Sequence, residues 1–355
     1  MEITKKDMNI TKGVAILMML LLHLFCRKEY EGLYEPLIYI GNEPLIYYLA
    51  LFGDACVPIY CFASGYGLYF SYTQKNPTYK NSNRSRLSKL ILNYWIILIL
   101  FVGLGNVIRP NIYPGSFIEF INNMLLLSNS YNGAWWFLQT YVLLVLLSPY
   151  ILKMVKKTNS KLIFFLALSV YFVSYVFRIK QIIDLGDNQI LIFLFNTIVL
   201  IGTSLFPFII GSLFLKENIY AFFSERMRKI KFKNLTCSIG ILILIVFHGF
   251  IESMFVAPFT AITFICFFNA IDKSLLIKNT LNFFGNHSTN IWLTHMFFYM
   301  TIFPTLTFAP KYPILIFLWL IILCLCSSFL INLVFKPISK YIDNDIINQK
   351  TKISV

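Results

Sequence analysis

Ten unbroken apolar runs, each close to the length a helix needs to cross a bilayer, dominate this chain of 355 residues. They fall near Ile10–Phe25, Leu45–Tyr69, Leu90–Ile108, Ala134–Leu152, Leu162–Phe177, Ile190–Leu215, Cys237–Ile251, Met254–Ile271, Ile291–Phe308 and Ile314–Phe335. The seventh and eighth are short and are joined by almost nothing around Glu252. No soluble domain has enough interior to hide so much apolar surface, so lipid must be part of the solvent. The composition agrees: 58% of residues are hydrophobic and 13% charged, and mean hydropathy is +0.70. Soluble proteins run at about 45–50% and 25% on the first two measures. The runs are continuous and do not alternate, which argues against a β-barrel. The sequence therefore predicts an all-α membrane protein of about ten transmembrane helices, one polytopic domain over residues 1–355 with no appended soluble domain.

The net charge of +14 has a topological meaning in such a chain. Of 30 Lys and Arg, 24 fall in the N-terminus, the 73–89, 153–161, 216–235 and 272–290 connections and the C-terminal tail; the other five connections hold 6. By the positive-inside rule that split predicts cytoplasmic termini. The seven cysteines form no disulfide framework, because most sit inside apolar runs as small hydrophobes. The first run contains His23 and leads into Cys26-Arg27-Lys28-Glu29 with no small-x-small cleavage site, so it is expected to be a retained span. No Cys/His cluster has metal-ligand spacing, and no phosphate-binding glycine loop follows a strand.

Ionisable residues inside spans are expensive and point to function. His23 follows Lys12 by 11 residues, which on a helix returns to within about 20° of the same face and climbs roughly 16 Å. One helix thus presents a cation near the membrane surface and an imidazole near the midplane. Asp54 lies about nine residues into the second span, roughly 13 Å deep. Its carboxylate can orient the imidazole, as triad carboxylates do, or can sit neutral against a hydroxyl or backbone group.

Four stretches in this order resemble the acyltransferase-3 family of bacterial integral-membrane acyltransferases. Lys12 through His23 is similar to its Arg/Lys-x10-His signature. Val57-Pro58-Ile59-Tyr60-Cys61-Phe62-Ala63-Ser64-Gly65-Tyr66 resembles its Phe-x-x-Ser-Gly-Tyr/Phe segment. Ala134-Trp135-Trp136-Phe137-Leu138 resembles the aromatic start of its fourth span, and Gly285, Ser288 and Ile291-Trp292-Leu293-Thr294-His295 its late Gly-x-x-Ser…Tyr-Leu-x-His segment. Lys12 stands where many members have Arg, and Trp292 where Tyr is common.

The resemblance implies transfer of an acyl group, usually acetyl from acetyl-CoA, to a hydroxyl of a surface glycan or its lipid-linked precursor, in a bacterial cytoplasmic membrane and with no metal. An alcohol needs a base at neutral pH, and His23 can serve as direct base or as transient acyl carrier. Arg84, Arg86 and Lys89 at the start of the third span offer cations to the CoA phosphates, with Ser64, Tyr66 and His295 on the donor side. Anionic lipid headgroups and topology explain the same basic residues. Trp135 and Trp136 can stack on a sugar ring or serve as an interfacial belt, and Glu252 can meet the acceptor. His248 is expected at the outer surface and His287 in a loop. A transporter or flippase of lipid-linked oligosaccharide is the competing reading, although no repeated halves or matched broken spans are present. A glycan polymerase is disfavoured by short outer loops.

Overall fold

In the computed structural model, residues 2–74, 79–180, 186 and 188–353 are described. The first helix, α1 (Lys5–Phe25), begins at a reciprocal cap: the Thr4 hydroxyl accepts from the Asp7 amide, and the Asp7 carboxylate accepts from the Thr4 amide. A tiny sheet pairs Tyr39–Ile40 with Glu43–Pro44. The second span is not one helix. α2 (Leu45–Leu51) passes through a tighter 3₁₀ turn at Phe52–Ala55 into α3 (Cys56–Gln74).

There follow α4 (Tyr79–Ile108), α5 (Phe117–Met124), α6 (Trp136–Lys157), α7 (Ser160–Lys180), α8 (Gln189–Lys216) and α9 (Ile219–Arg228). The chain continues through α10 (Lys233–Phe250), α11 (Ala257–Ala270), α12 (Leu275–Met296), a π-turn at Phe297–Thr301, α13 (Pro304–Phe308) and α14 (Pro313–Ile353).

Among the described residues, eight segments are long and apolar enough to cross a membrane, and Met254–Ala270 is a shorter apolar helix. The protein is an all-α membrane protein. Large side chains left bare by the fold mark the lipid-facing surfaces: Phe250 is 84% exposed, Leu333 72% and Ile243 60%.

Three boundaries differ from expectation. The expected ninth span, Ile291–Phe308, is not among the eight; its helix begins at Leu275 and gives way to the π-turn after Met296. The 272–290 connection is therefore largely helical. Its polar residues stay in the helix because they bond to a neighbour: Asn9 Nδ2 donates to Asn282 Oδ1 at 2.9 Å and to Asn286 Oδ1 at 2.8 Å. The 73–89 connection likewise contains the first turns of α4, and 109–133 contains α5.

The chain divides into two compact units. The first comprises Met1–Cys26, Ile40–Asn76 and Leu143–Asn286; the second comprises Arg27–Tyr39, Pro77–Val142 and His287–Val355. In the first, α3 and α8 pack backbone against backbone. A Cβ on Gly65 would overlap the Phe208 carbonyl, and one on Gly211 would overlap the Phe62 carbonyl, while Ser212 Oγ donates to Gly65 O at 3.1 Å. The helix α1 is seated in the same way. Gly13 lies against the Leu281 carbonyl, Gly285 against the Asn9 carbonyl, and Gly53 against Met18 O and Leu22. In the second unit α4 runs along α14, and Phe101 stacks on Phe297 with centroids 4.5 Å apart.

Candidate active site

In the first unit, α1 carries Lys12 and His23, both half-buried. Tyr60 of α3 donates its phenol to Lys12 O at 3.1 Å, which ties α3 to the Lys12 turn of α1. Tyr60 carries no role in the Val57–Tyr66 stretch as read from sequence, although a phenol in mid-span needs a polar partner and so announces a tertiary bond. Ser64 Oγ donates back to Tyr60 O at 2.7 Å, so its hydroxyl is engaged within α3. Tyr66 is buried and lies nearly parallel to Phe62, 6.3 Å away.

Asp54 occupies the 3₁₀ turn between α2 and α3. Such a break in mid-span frees local backbone geometry and often marks a functional position. The turn leans on α1, because Gly53 contacts the Met18–Leu22 turn that precedes His23. The Asp54 carboxylate lies 3.6 Å from His248 Nε2. His248 is fully buried, contrary to the surface position expected, with Nδ1 3.4 Å from Thr260 Oγ1. The reason is helix phase: Ile239, Leu242, Ile243 and Val246 take the exposed face of α10, and His248 falls on the opposite one. Glu252 is exposed and accepts from the Tyr47 phenol at 2.8 Å.

In the second unit, Arg86 and Lys89 are half-buried one turn apart on α4, whereas Arg84 is exposed about 160° round the helix from Arg86. The two aromatic stretches singled out in the sequence meet here. Trp135 is 1% exposed, its indole N–H donates to Leu293 O at 3.0 Å, and its ring packs edge-on against Tyr94 and Phe297. Asn132 Nδ2 donates to the same carbonyl at 3.0 Å, and Trp292 Nε1 returns a bond to Ala134 O at 3.2 Å. Trp136 is half-buried.

His295 is buried, with Nδ1 2.7 Å from Trp292 O, so Nδ1 carries a hydrogen. Its ring stacks on Tyr299, over which Arg27 sits 5.9 Å from the centroid. His287 is a buried residue of α12, not a loop residue; its Nδ1 lies 2.8 Å from Ser328 Oγ. Outside the spans, burial pushes the Lys273 ammonium down to about 8 and the Tyr131 phenol up to about 12.

The expected residues thus divide: Lys12, His23, Asp54, Ser64, Tyr66 and Glu252 belong to the first unit, and Arg84, Arg86, Lys89, Trp135, Trp136 and His295 to the second. No curated protein and no solved structure matches the chain. A family model does. The one described as an acyltransferase domain, of the acyltransferase-3 type, matches residues 5–333, a stretch that takes in every residue just described. With membrane-crossing helices and a match over nearly its whole length, the chain belongs to the acyltransferase-3 family of membrane acyltransferases.

Proposed function

We propose that this membrane acyltransferase moves an acetyl group from cytosolic acetyl-CoA to a hydroxyl of a cell-envelope glycan or its lipid-linked precursor, in a bacterial cytoplasmic membrane. The observation that carries the reading is α1 itself: a half-buried cation and a half-buried imidazole stand 11 residues apart on one helix inside the matched domain.

In the direct version His23 takes the proton from the acceptor hydroxyl as its oxygen attacks the thioester carbon. The carbon–sulfur bond then breaks, and the CoA thiolate leaves and collects a proton. In the covalent version the imidazole attacks the thioester carbon and expels the CoA thiolate; the acceptor hydroxyl then attacks the acyl carbon, the carbon–nitrogen bond breaks, and the freed imidazole takes the hydroxyl proton. Lys12 holds a fixed positive charge about 16 Å along the same helix. Asp54, beside His248, stabilises the positive charge that forms on the imidazole. Arg84, Arg86 and Lys89 bind the donor's phosphates, with Ser64, Tyr66 and His295 on the donor side. Trp135, Trp136 and Glu252 form the acceptor side.

Purified protein incubated with labelled acetyl-CoA and a panel of glycan acceptors tests the proposal. The expected result is acceptor-dependent CoA release that disappears in His23→Ala. No release with any acceptor would favour transport of a lipid-linked saccharide instead.

A further inference from the structure

A line of neutral polar side chains crosses the interior of the second unit. Asn93 of α4 is only 4% exposed, and its Nδ2 donates to Asn290 Oδ1 at 2.7 Å. Asn290 of α12 in turn donates from Nδ2 to Ser328 Oγ at 2.9 Å and to Asn332 Oδ1 at 3.3 Å, both on α14. The Ser328 backbone carbonyl, 3.4 Å from Asn290 Nδ2, can only accept, which sets the Asn290 amide with its nitrogen on α14 and its oxygen toward α4. Asn93 must then present its nitrogen to that oxygen. Its own carbonyl oxygen is left buried and, among the described residues, without a hydrogen-bond partner. A buried amide oxygen in an apolar surround carries an uncompensated desolvation cost, so Asn93 Oδ1 is poised for a donor from outside the chain.

What kind of donor follows from the helix that holds it. Arg86, Lys89 and Asn93 lie within about 60° on one face of α4 and span about 10 Å of rise. A ligand running along this face meets two cations and then a neutral acceptor that is dry. An inorganic anion satisfies the cations but is too short to reach the amide oxygen as well, and a lipid headgroup carries its ammonium or hydroxyl donor close beside its phosphate. Acyl-CoA has the right order: phosphates, then a pantetheine arm bearing two amide N–H groups.

We infer that Asn93 is a subsite for the pantetheine arm of acyl-CoA, its Oδ1 accepting an amide N–H, with Asn290 and Ser328 holding it in orientation. This rests on the acyl-CoA donor proposed above. Such a subsite reads the part of the donor common to all acyl-CoA thioesters and ignores the acyl group.

Calorimetric titration of the full-length protein in detergent, with CoA, pantetheine and adenosine 3′,5′-bisphosphate as separate ligands, tests it. Asn93→Ala is expected to weaken CoA roughly tenfold and pantetheine by a similar factor, and to leave the bisphosphate unchanged. Arg86→Ala should do the reverse, weakening CoA and the bisphosphate but not pantetheine. Asn93→Ser, which keeps a hydroxyl at the site, should fall between wild type and Asn93→Ala, and it carries the test if the alanine variant melts early. Equal weakening of CoA and bisphosphate by either Asn93 variant would overturn the inference. So would wild-type protein that binds CoA and bisphosphate but not pantetheine, with the donor proposal intact. Failure of the wild type to bind any of the three would overturn the donor proposal as well.

Discussion

The two units bury polarity in different ways. The first buries groups that ionise: Asp54 and His248 face each other at 3.6 Å, and Asp54 is presented by a turn that interrupts its span. The second also buries imidazoles, His287 against Ser328 Oγ and His295 against Trp292 O, but beside them runs a line of amides and hydroxyls, passed from Asn93 to Asn290 to Ser328. A buried charge demands an opposite charge or a shared proton, whereas an amide needs only a neighbour of the right hydrogen-bonding sense. The Asp54–His248 pair suits moving a proton, and the Asn93 line suits holding a neutral ligand without reacting with it.

The comparison breaks most visibly at His23. If proton handling belongs to the first unit, His23→Ala loses about 10²–10⁴-fold in transfer rate while CoA binding persists, as steady-state assay and titration would register. A folded variant that keeps most of its activity would end the mechanism. Asp54→Asn should lower kcat by less than that, with little change in KM. A KM effect equal to the kcat effect would move Asp54 from chemistry to binding.

Packing offers the next contrast. Gly65→Val drives a side chain into the Phe208 carbonyl and should cost about 1–3 kcal/mol or more, whereas Gly67→Ala enters open space and should leave the melting temperature alone. Comparable melting of the two variants would show that α3 and α8 are not held by close backbone approach.

On the second unit, Arg84→Ala with Arg86→Ala should raise KM for acetyl-CoA several-fold more than it lowers kcat, because phosphate contacts bind substrate and transition state alike. An unchanged KM would return these residues to a topological role.

The smallest effect concerns Lys273. Its folded value of about 8 lies below the ordinary 10.5, so between those limits the unfolded chain holds more protons and stability rises with pH. Lys273→Met removes the burial penalty, and its gain in melting temperature should shrink as pH climbs from 8 toward 10.5. A pH-independent difference would mean that burial leaves this ammonium unperturbed.

Much of this was legible in the sequence, and for a physical reason: bilayer length and apolarity are local properties. Eight expected spans reappear as long apolar helical segments, and the span carrying Lys12 and His23 ends at Phe25 as expected, although its helix begins at Lys5, ahead of the expected Ile10. The ninth span was misjudged because α12 mixes Asn282, Asn286 and Asn290 into its length, and those amides are satisfied by other helices that no single run reveals. His248 was misplaced for a similar reason, since depth along a helix says little about which face turns inward. Tyr60, Asn93 and Ser328 have no legible role in the sequence because their meaning lies wholly in partners far away along it.

The seating of α1 bears on how this chain tolerates insertion and deletion. Glycine contacts grip the helix near its start, at Asn9 and Gly13, and again at Met18 and Leu22, so its screw has no play between the two grips. Adding or removing one residue there would swing everything beyond it by about 100° and shift it about 1.5 Å, enough to turn His23 off its face while every side chain remained in the sequence. The stretch from Gly13 to His23 thus works as a ruler whose markings can be repainted, residue by residue, but whose length is fixed.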